Sequence, residues 1–217
     1  FEAYVIPSGS MLPSLLIRDH IFVNKLVYGL RVPFSEKWLV RFNEPQRGEI
    51  IVFKYPEDMS TFFIKRIVGM PGDKIEIKDA TLFINDQIME KSAPTSTWDY
   101  DWLRDKDFGS DSYGYSSKDQ FVHFTEDLSG TKHSILLRKT YGSKDYGPYI
   151  VPKGGFFVLG DNRDSSQDSR YWGIVPFENI LGRASMVWLS CEETLPVLSF
   201  LCNPLTLRWG RFFYSIK

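Results

Sequence analysis

Short runs of β-branched and aromatic residues, each stopped by glycine or proline, constrain this chain more than any other feature. Residues 21–26 (IFVNKL) alternate apolar and polar side chains ahead of Gly29. Residues 48–55 (GEIIVFKY) read as a buried strand stopped at Pro56, and 62–68 (FFIKRIV) as another closed by Gly69, Pro71 and Gly72. Residues 74–78 and 81–84 read as a hairpin across Asp79 and Ala80. Such residues fit a pleated, half-buried surface better than a short helix, so the chain is expected to be mainly β, with mixed antiparallel sheets. From 92 to 119 the sequence turns dense in Ser, Asp, Tyr and Gly and reads as a surface excursion of loops and short strands. Order resumes at 134–138 and 155–159. The expected organisation is one core domain from residues 1–74 and 152–217, with a smaller β-rich domain, 75–151, inserted between them.

Composition removes several classes of function. Lys plus Arg number 26 against 27 Asp plus Glu, a net charge of −1, so there is no global cationic field and no nucleic-acid partner is expected. The three histidines, His20, His123 and His133, form no paired ligand motif, and two cysteines are too few for a cysteine-rich zinc site. No metal and no cofactor are expected. Hydrophobic residues make up 43% and aromatics 16%, enough for a substantial core and for a surface that meets lipid or substrate. No apolar run approaches the ~18 residues a spanning helix needs. The longest, 195–201, is short and contains Pro196. The chain starts at Phe1 instead of Met, so an upstream anchoring segment is expected to be missing. At the other end, Trp209, Phe212, Phe213 and Ile216 fall on one helical face with Arg208, Arg211 and Lys217 nearby. That pattern predicts an amphipathic helix, either docked on the core or lying in a membrane interface.

Three segments carry chemistry. In residues 6–14 (IPSGSMLPS), Pro7 and Pro13 stiffen a turn and Gly9 permits unusual backbone angles. A serine at the apex of such a turn has backbone N–H groups beside it, as a nucleophile and its oxyanion donors require; an ordinary loop has the same composition. In residues 62–68, strand parity puts Lys65 on the face of Phe63 and Ile67, and Arg66 on the face of Ile64 and Val68. Either the cations guard a sheet edge, or Lys65 sits in an apolar site that lowers its pKa and leaves a neutral amine able to take a proton. Arg66 then needs a carboxylate. The third segment, 160–173 (GDNRDSSQDSRYWG), is a polar loop after a strand. Ser166 stands where a calcium loop needs glycine and Trp172 where it needs a bidentate Glu, so a hydrogen-bond and ion-pair network fits better. Asp161 is the natural partner for Arg66.

In this order the three segments resemble those of bacterial type I signal (leader) peptidases, over about residues 4–73 and 152–184. The motifs are Pro-Ser-Gly-Ser-Met around Ser10, the run from Lys65 and Arg66 to Gly72 and Asp73, and Gly-Asp-Asn ahead of Asp168, Ser169 and Arg170. The resemblance implies a β-rich catalytic core, Ser10 as nucleophile, Lys65 as general base and Ser8 as an oxyanion donor. It implies that Ser166 orients the lysine, that Asp161 and Arg66 form a structural ion pair, and that Asp168 and Arg170 give further support. Substrates are then secretory preproteins, cut after a small-x-small motif such as Ala-x-Ala. By position, Tyr4, Ile6, Met11 and Ile64 are candidates for lining the pockets, or for plain core packing. The family is membrane-anchored upstream of the first motif. That implies the bacterial inner membrane, with the catalytic domain on the periplasmic face, against the lipid surface and as a monomer. Large insertions resemble those of Gram-negative members. Arg18 departs from the family, which often has glycine before the aspartate. In such an oxidising space Cys191 and Cys202 either pair or remain buried thiols.

The chemistry is self-consistent. None of the three segments holds a histidine, so a Ser-His-Asp triad has no visible candidate. Bringing a lysine from ~10.4 toward 8 requires a few kcal/mol of desolvation. Two other readings share parts of this pattern: a self-cleaving Ser/Lys repressor-type protease, and a non-catalytic membrane-apposed β-domain.

Overall fold

Ile50–Tyr55 and Asp58–Gly69 pair as antiparallel strands, with Ile51 opposite Lys65 and Ile50 opposite Arg66. Ile50 and Val52 pack into one apolar cluster, Ile51 and Phe53 into another. The strand is therefore buried on both faces, which explains its continuous apolar run. This is a computed structural model, and it describes residues 1–32, 38–94, 96–111, 114–140, 144–196 and 201–216.

Among the described residues the main sheet has eight antiparallel strands. Glu2–Val5 lies at one edge, followed by Asp19–Asn24, Ile180–Ser190, Ile50–Tyr55, Asp58–Gly69, Gly155–Leu159 and Val175–Pro176, with Tyr214–Ser215 beside Ile180–Ser190. Gly155–Leu159 pairs only with the far end of Asp58–Gly69, at Arg66, Ile67 and Gly69. On that side, residues 58–65 have no strand partner among the described residues.

The hairpin expected across Asp79 and Ala80 forms. Lys74–Lys78 pairs with Thr81–Ile84, and both turn residues take positive φ, 48° and 57°. This is the twist a two-residue hairpin requires. Gln87–Ile88 and Tyr146–Ile150 complete that four-stranded sheet. Phe121–Leu128 and Thr131–Arg138 form a second hairpin, extended by Lys91–Ser92. Val68, Phe157 and Leu159 of the main sheet share one core cluster with Ile75, Ile77 and Leu128. Between Trp98 and Gln120 the described residues hold a four-residue helix, Trp98–Asp101, two 3-10 turns, Asp105–Asp107 and Lys118–Gln120, and a short ladder of Ser110–Asp111 with Gly114–Tyr115.

The amphipathic C-terminal helix does not form. Trp209–Arg211 is a single 3-10 turn, Phe213 takes φ 55°, and Tyr214–Ser215 pairs with Met186 and Val187. Two arginines of that pattern are fully buried instead. Arg211 donates to Asp19 Oδ2 at 2.6 Å and to the Ser14 carbonyl at 3.1 Å. Arg208 reaches the Ile17 carbonyl at 3.0 Å and Ser190 Oγ at 3.2 Å. Satisfying these buried partners outweighs one turn of amphipathic periodicity. Trp209 and Phe213 stay 69% and 72% exposed, while Ile216 packs on the core. Lys217 and residues 197–200 of the 195–201 apolar run lie outside the described residues. Cys191 and Cys202 are joined as a disulfide.

Replacing Arg211 by alanine would strand the Asp19 carboxylate without its cation. A loss of about 3–5 kcal/mol in unfolding free energy is expected, read as a lower urea midpoint. An alkylating reagent applied to unfolded, unreduced protein should add no mass.

Candidate active site

Residues 6–19 form a loop closed on itself: Ile6 N donates to the Asp19 carbonyl and Arg18 N to the Ile6 carbonyl, both at 2.9 Å. Arg18 takes the left-handed backbone that a glycine would adopt freely (φ 66°), and its guanidinium donates to the Glu192 carbonyl at 2.8 Å. Within the loop, Ser8 is extended and Gly9–Met11 make a 3-10 turn that presents Ser10. A side chain at Gly9 would lie 2.8 Å from the Asp107 carbonyl, so glycine is required there.

Lys65 reaches this turn from the neighbouring strand. Its Nζ lies 2.8 Å from Ser10 Oγ and 2.9 Å from the Ile64 carbonyl, and the residue is only 4% exposed. Burial pushes its pKa from 10.5 down to about 8, while the nearby charges of Asp168 and Asp161 oppose the fall. The ring of Phe63 sits 5.3 Å from Nζ. At this distance from Ser10 Oγ a neutral amine can accept the serine proton.

Arg66 points to the other face, as strand parity predicts. Nε and Nη2 donate to the two Asp161 oxygens at 2.8 and 2.7 Å, and Nη1 donates to the Gly48 carbonyl at 2.7 Å. Ser14 Oγ also donates to Asp161, at 2.5 Å. Burial alone would raise the Asp161 pKa, but the Arg66 guanidinium holds it below the usual carboxylate range.

The 160–173 loop grips the serine turn through its backbone. Asn162 N donates to the Ser10 carbonyl at 3.1 Å, and Asn162 Nδ2 to the Gly9 carbonyl at 3.0 Å. A side chain at Gly160 would lie 2.5 Å from the Ser10 carbonyl oxygen, so that approach also needs glycine. Asp168 caps the short helix Ser169–Trp172, accepts from Gly160 N at 3.1 Å, and takes Arg170 Nε and Nη2 at 2.8 Å each. Behind the loop, Arg163 forms a two-pronged pair with Glu126, one contact at 2.8 Å, tying the hairpin of Phe121–Leu128 and Thr131–Arg138 to the site. His133 lies beside this network, and burial lowers its pKa to about 4.

A cleft of about 610 Å³ opens over Ser10 and Lys65. Ser8 is exposed at its wall and its side chain makes no cap bond. Ser166 also lines it, but its Oγ is buried without a hydrogen-bond partner and is not bonded to Lys65. Of the four pocket candidates, Ile64 lines the cleft. Ile6 and Met11 are buried in the core cluster that also holds Ile64, where they make packing contacts. Tyr4 stands one side chain back, edge-on to Phe62 at 6.1 Å. Phe62, Phe63, Phe108 and Tyr171 line the cleft beyond the expected set. Phe62 and Phe63 adjoin a chemical motif, a signal that could have found them; Phe108 lies in a polar excursion that carries no signal.

The family profile described as signal peptidase, peptidase S26, matches residues 1–189. Signal peptidase I of Buchnera aphidicola subsp. Schizaphis graminum is 38% identical over 218 residues, covering 89% of this chain and 69% of that protein. The Pseudomonas fluorescens signal peptidase I is 38% identical over 214 residues (93% and 69%), and that of Aquifex aeolicus is 37% identical over 244 residues (97% and 89%). A solved signal peptidase I from Enterococcus faecalis V583 is 25% identical, covering 66% of this chain and 98% of that one, with a TM-score of 0.37. The family and curated-protein matches define the class: the chain is a peptidase. It belongs to the signal peptidase family, peptidase S26.

Burying Lys65 has a stability cost. Its folded-state pKa of about 8 lies below the ordinary 10.5. Unfolding therefore takes up a proton between those values, and stability rises with pH across that window. Below it the penalty is complete, about 3 kcal/mol. Lys65→Met is expected to raise the urea midpoint near neutral pH, with the gain shrinking as pH approaches 10.5.

Proposed function

We propose that this chain removes N-terminal signal peptides from secretory preproteins, cutting after a small-x-small motif with Ser10 as nucleophile and Lys65 as general base. The observation that carries the proposal is a buried lysine, its pKa brought down to about 8, with Nζ 2.8 Å from Ser10 Oγ. Neutral Lys65 takes the hydroxyl proton as Oγ bonds to the scissile carbonyl carbon. The resulting oxyanion is held by the Ser10 N–H and the Ser8 hydroxyl. The Lys65 ammonium then protonates the departing amine as the C–N bond breaks, leaving an acyl-ester on Ser10. Water, deprotonated by Lys65, hydrolyses that ester and restores the serine.

The Arg66–Asp161 and Asp168–Arg170 pairs position the two loops. The unpartnered Ser166 hydroxyl is available to orient the lysine. The open edge at residues 61–64 suits an extended peptide, which would add as a further strand. In this reading residues 1–74 and 152–217 form the catalytic core and 75–151 the insertion. Exposed Trp209, Phe213 and Leu205 mark the face toward the lipid surface. The proposed setting is the periplasmic side of the inner membrane, with the protein acting as a monomer. The repressor-type alternative finds little support: the two described α-helices, Trp98–Asp101 and Ser169–Trp172, have four residues each, too short to read a DNA groove.

Ser10→Ala and Lys65→Ala should each abolish preprotein cleavage with circular dichroism unchanged. Lys65→Arg should not rescue, since guanidinium stays charged. Cleavage retained in any of the three would remove the Ser10–Lys65 assignment. Ser8→Ala should lower kcat by about 10²–10³-fold. In the wild type, kcat/KM should climb with pH toward a plateau above about 8; a flat profile from about 6 to 9 would exclude Lys65 as base.

A further inference from the structure

The ends of two adjacent strands of the main sheet hold a second cluster of chemical groups, away from the cleft. His20 lies in Asp19–Asn24, Cys191 directly follows Ile180–Ser190, and Cys202 belongs to the C-terminal segment. The ligand atoms of all three lie within 4.8 Å of one another. His20 Nε2 is 3.5 Å from Cys202 Sγ. No spacing in the sequence hints at this set; residues 20, 191 and 202 meet only through the sheet.

We infer that, when the Cys191–Cys202 bridge is reduced, these three side chains form a binding site for a borderline-soft divalent cation of the zinc type. A tetrahedral centre with Zn–S near 2.3 Å and Zn–N near 2.0–2.1 Å has an N···S edge of about 3.5 Å and an S···S edge of about 3.8 Å. The first is already the separation of His20 from Cys202. The second requires only that the sulfurs part across a Cα–Cα distance of 5.7 Å. Charge supports the same cation. Two thiolates and a neutral imidazole around a divalent ion sum to zero, which a buried site tolerates where two bare thiolates would not. His20 Nε2 is the ring nitrogen turned toward Cys202 Sγ and so the one placed to ligate. Cys202 is partly exposed, leaving a route for the ion and for a water as fourth ligand.

The chemistry balances with an added phosphine reductant. Phosphine and water convert the disulfide to two thiols and phosphine oxide. Binding of the cation then releases the two thiol protons. The bridge and the metal are alternative clasps for the same junction, where the C-terminal segment carrying Arg208 and Arg211 meets the sheet.

The test uses the whole chain, oxidised or reduced with a phosphine, loaded with zinc sulfate and freed of excess by gel filtration. One zinc per reduced chain is expected, with only background in the oxidised protein. Zinc should raise the Tm of the reduced form alone. His20→Ala, which keeps both thiols, should weaken retention at least tenfold, and cobalt substitution should give thiolate-to-metal absorption in the wild type only after reduction. Equal zinc in oxidised and reduced protein, undiminished retention in His20→Ala, or a reduced chain that is folded and binds no zinc would each overturn the inference. So would a reduced chain that unfolds and is not restored by zinc.

Discussion

Two adjacent cations, Lys65 and Arg66, lie buried in one strand, and the arrangement of the site follows from how each is accommodated. Strand geometry sends them to opposite faces. Arg66 meets a carboxylate that matches it on both prongs, and stays charged. Lys65 meets a hydroxyl and a carbonyl, and burial outweighs the Asp168 and Asp161 charges that would restore its ordinary pKa. One residue is locked as an ion pair; the other is left poised to exchange a proton. A strand with a single cation, or with both on one face, would lack this division of roles.

The pairing of Arg66 with Asp161 also determines where the 160–173 loop sits. Asp161 enters the loop directly after the strand Gly155–Leu159, and the next residue, Asn162, holds the carbonyls of Gly9 and Ser10. The ion pair therefore fixes the lysine strand, the serine turn and the polar loop relative to one another. The C-terminal segment closes the other side through Arg211 and Asp19. The hairpin of Phe121–Leu128 and Thr131–Arg138 braces the back through Arg163 and Glu126. Each brace is a buried charge with a matched partner, strongly destabilising if broken and specific in geometry.

Much of this is legible in the residue pattern alone. Alternation and turn residues locate strands at 48–55, 62–68, 74–78 and 81–84, because sheet periodicity is a local property; the second begins earlier in the fold, at Asp58. Parity by itself separates Lys65 from Arg66. Where local and global demands diverge, the local reading fails. The helical spacing at 209–216 is overridden by buried partners for Arg208 and Arg211. Ile6 and Met11 flank the serine and suggest a substrate pocket; the fold buries them in a core cluster shared with Ile64, which the sequence alone does not show. Ile180–Ser190, the central strand between Asp19–Asn24 and Ile50–Tyr55, leaves no clear trace in the pattern. Its Gly182 and Arg183 disguise the periodicity, although glycine is required at 182 because the Asn24 carbonyl oxygen occupies the space a side chain would fill.

By itself, the sequence determined the residue types and their local geometry: a serine in a stiffened turn, a lysine in an apolar strand, and a polar loop too rich in charge to lack partners. These are properties of neighbours along the chain. Only the tertiary structure decided that Lys65 Nζ stands 2.8 Å from Ser10 Oγ, that Phe108 walls the cleft, and that His20 faces two cysteines some 170 residues away or more. Those contacts are set by which strands lie side by side in an antiparallel sheet and by the buried ion pairs that fasten its loops. Strand order is a long-range outcome of packing that no local pattern encodes.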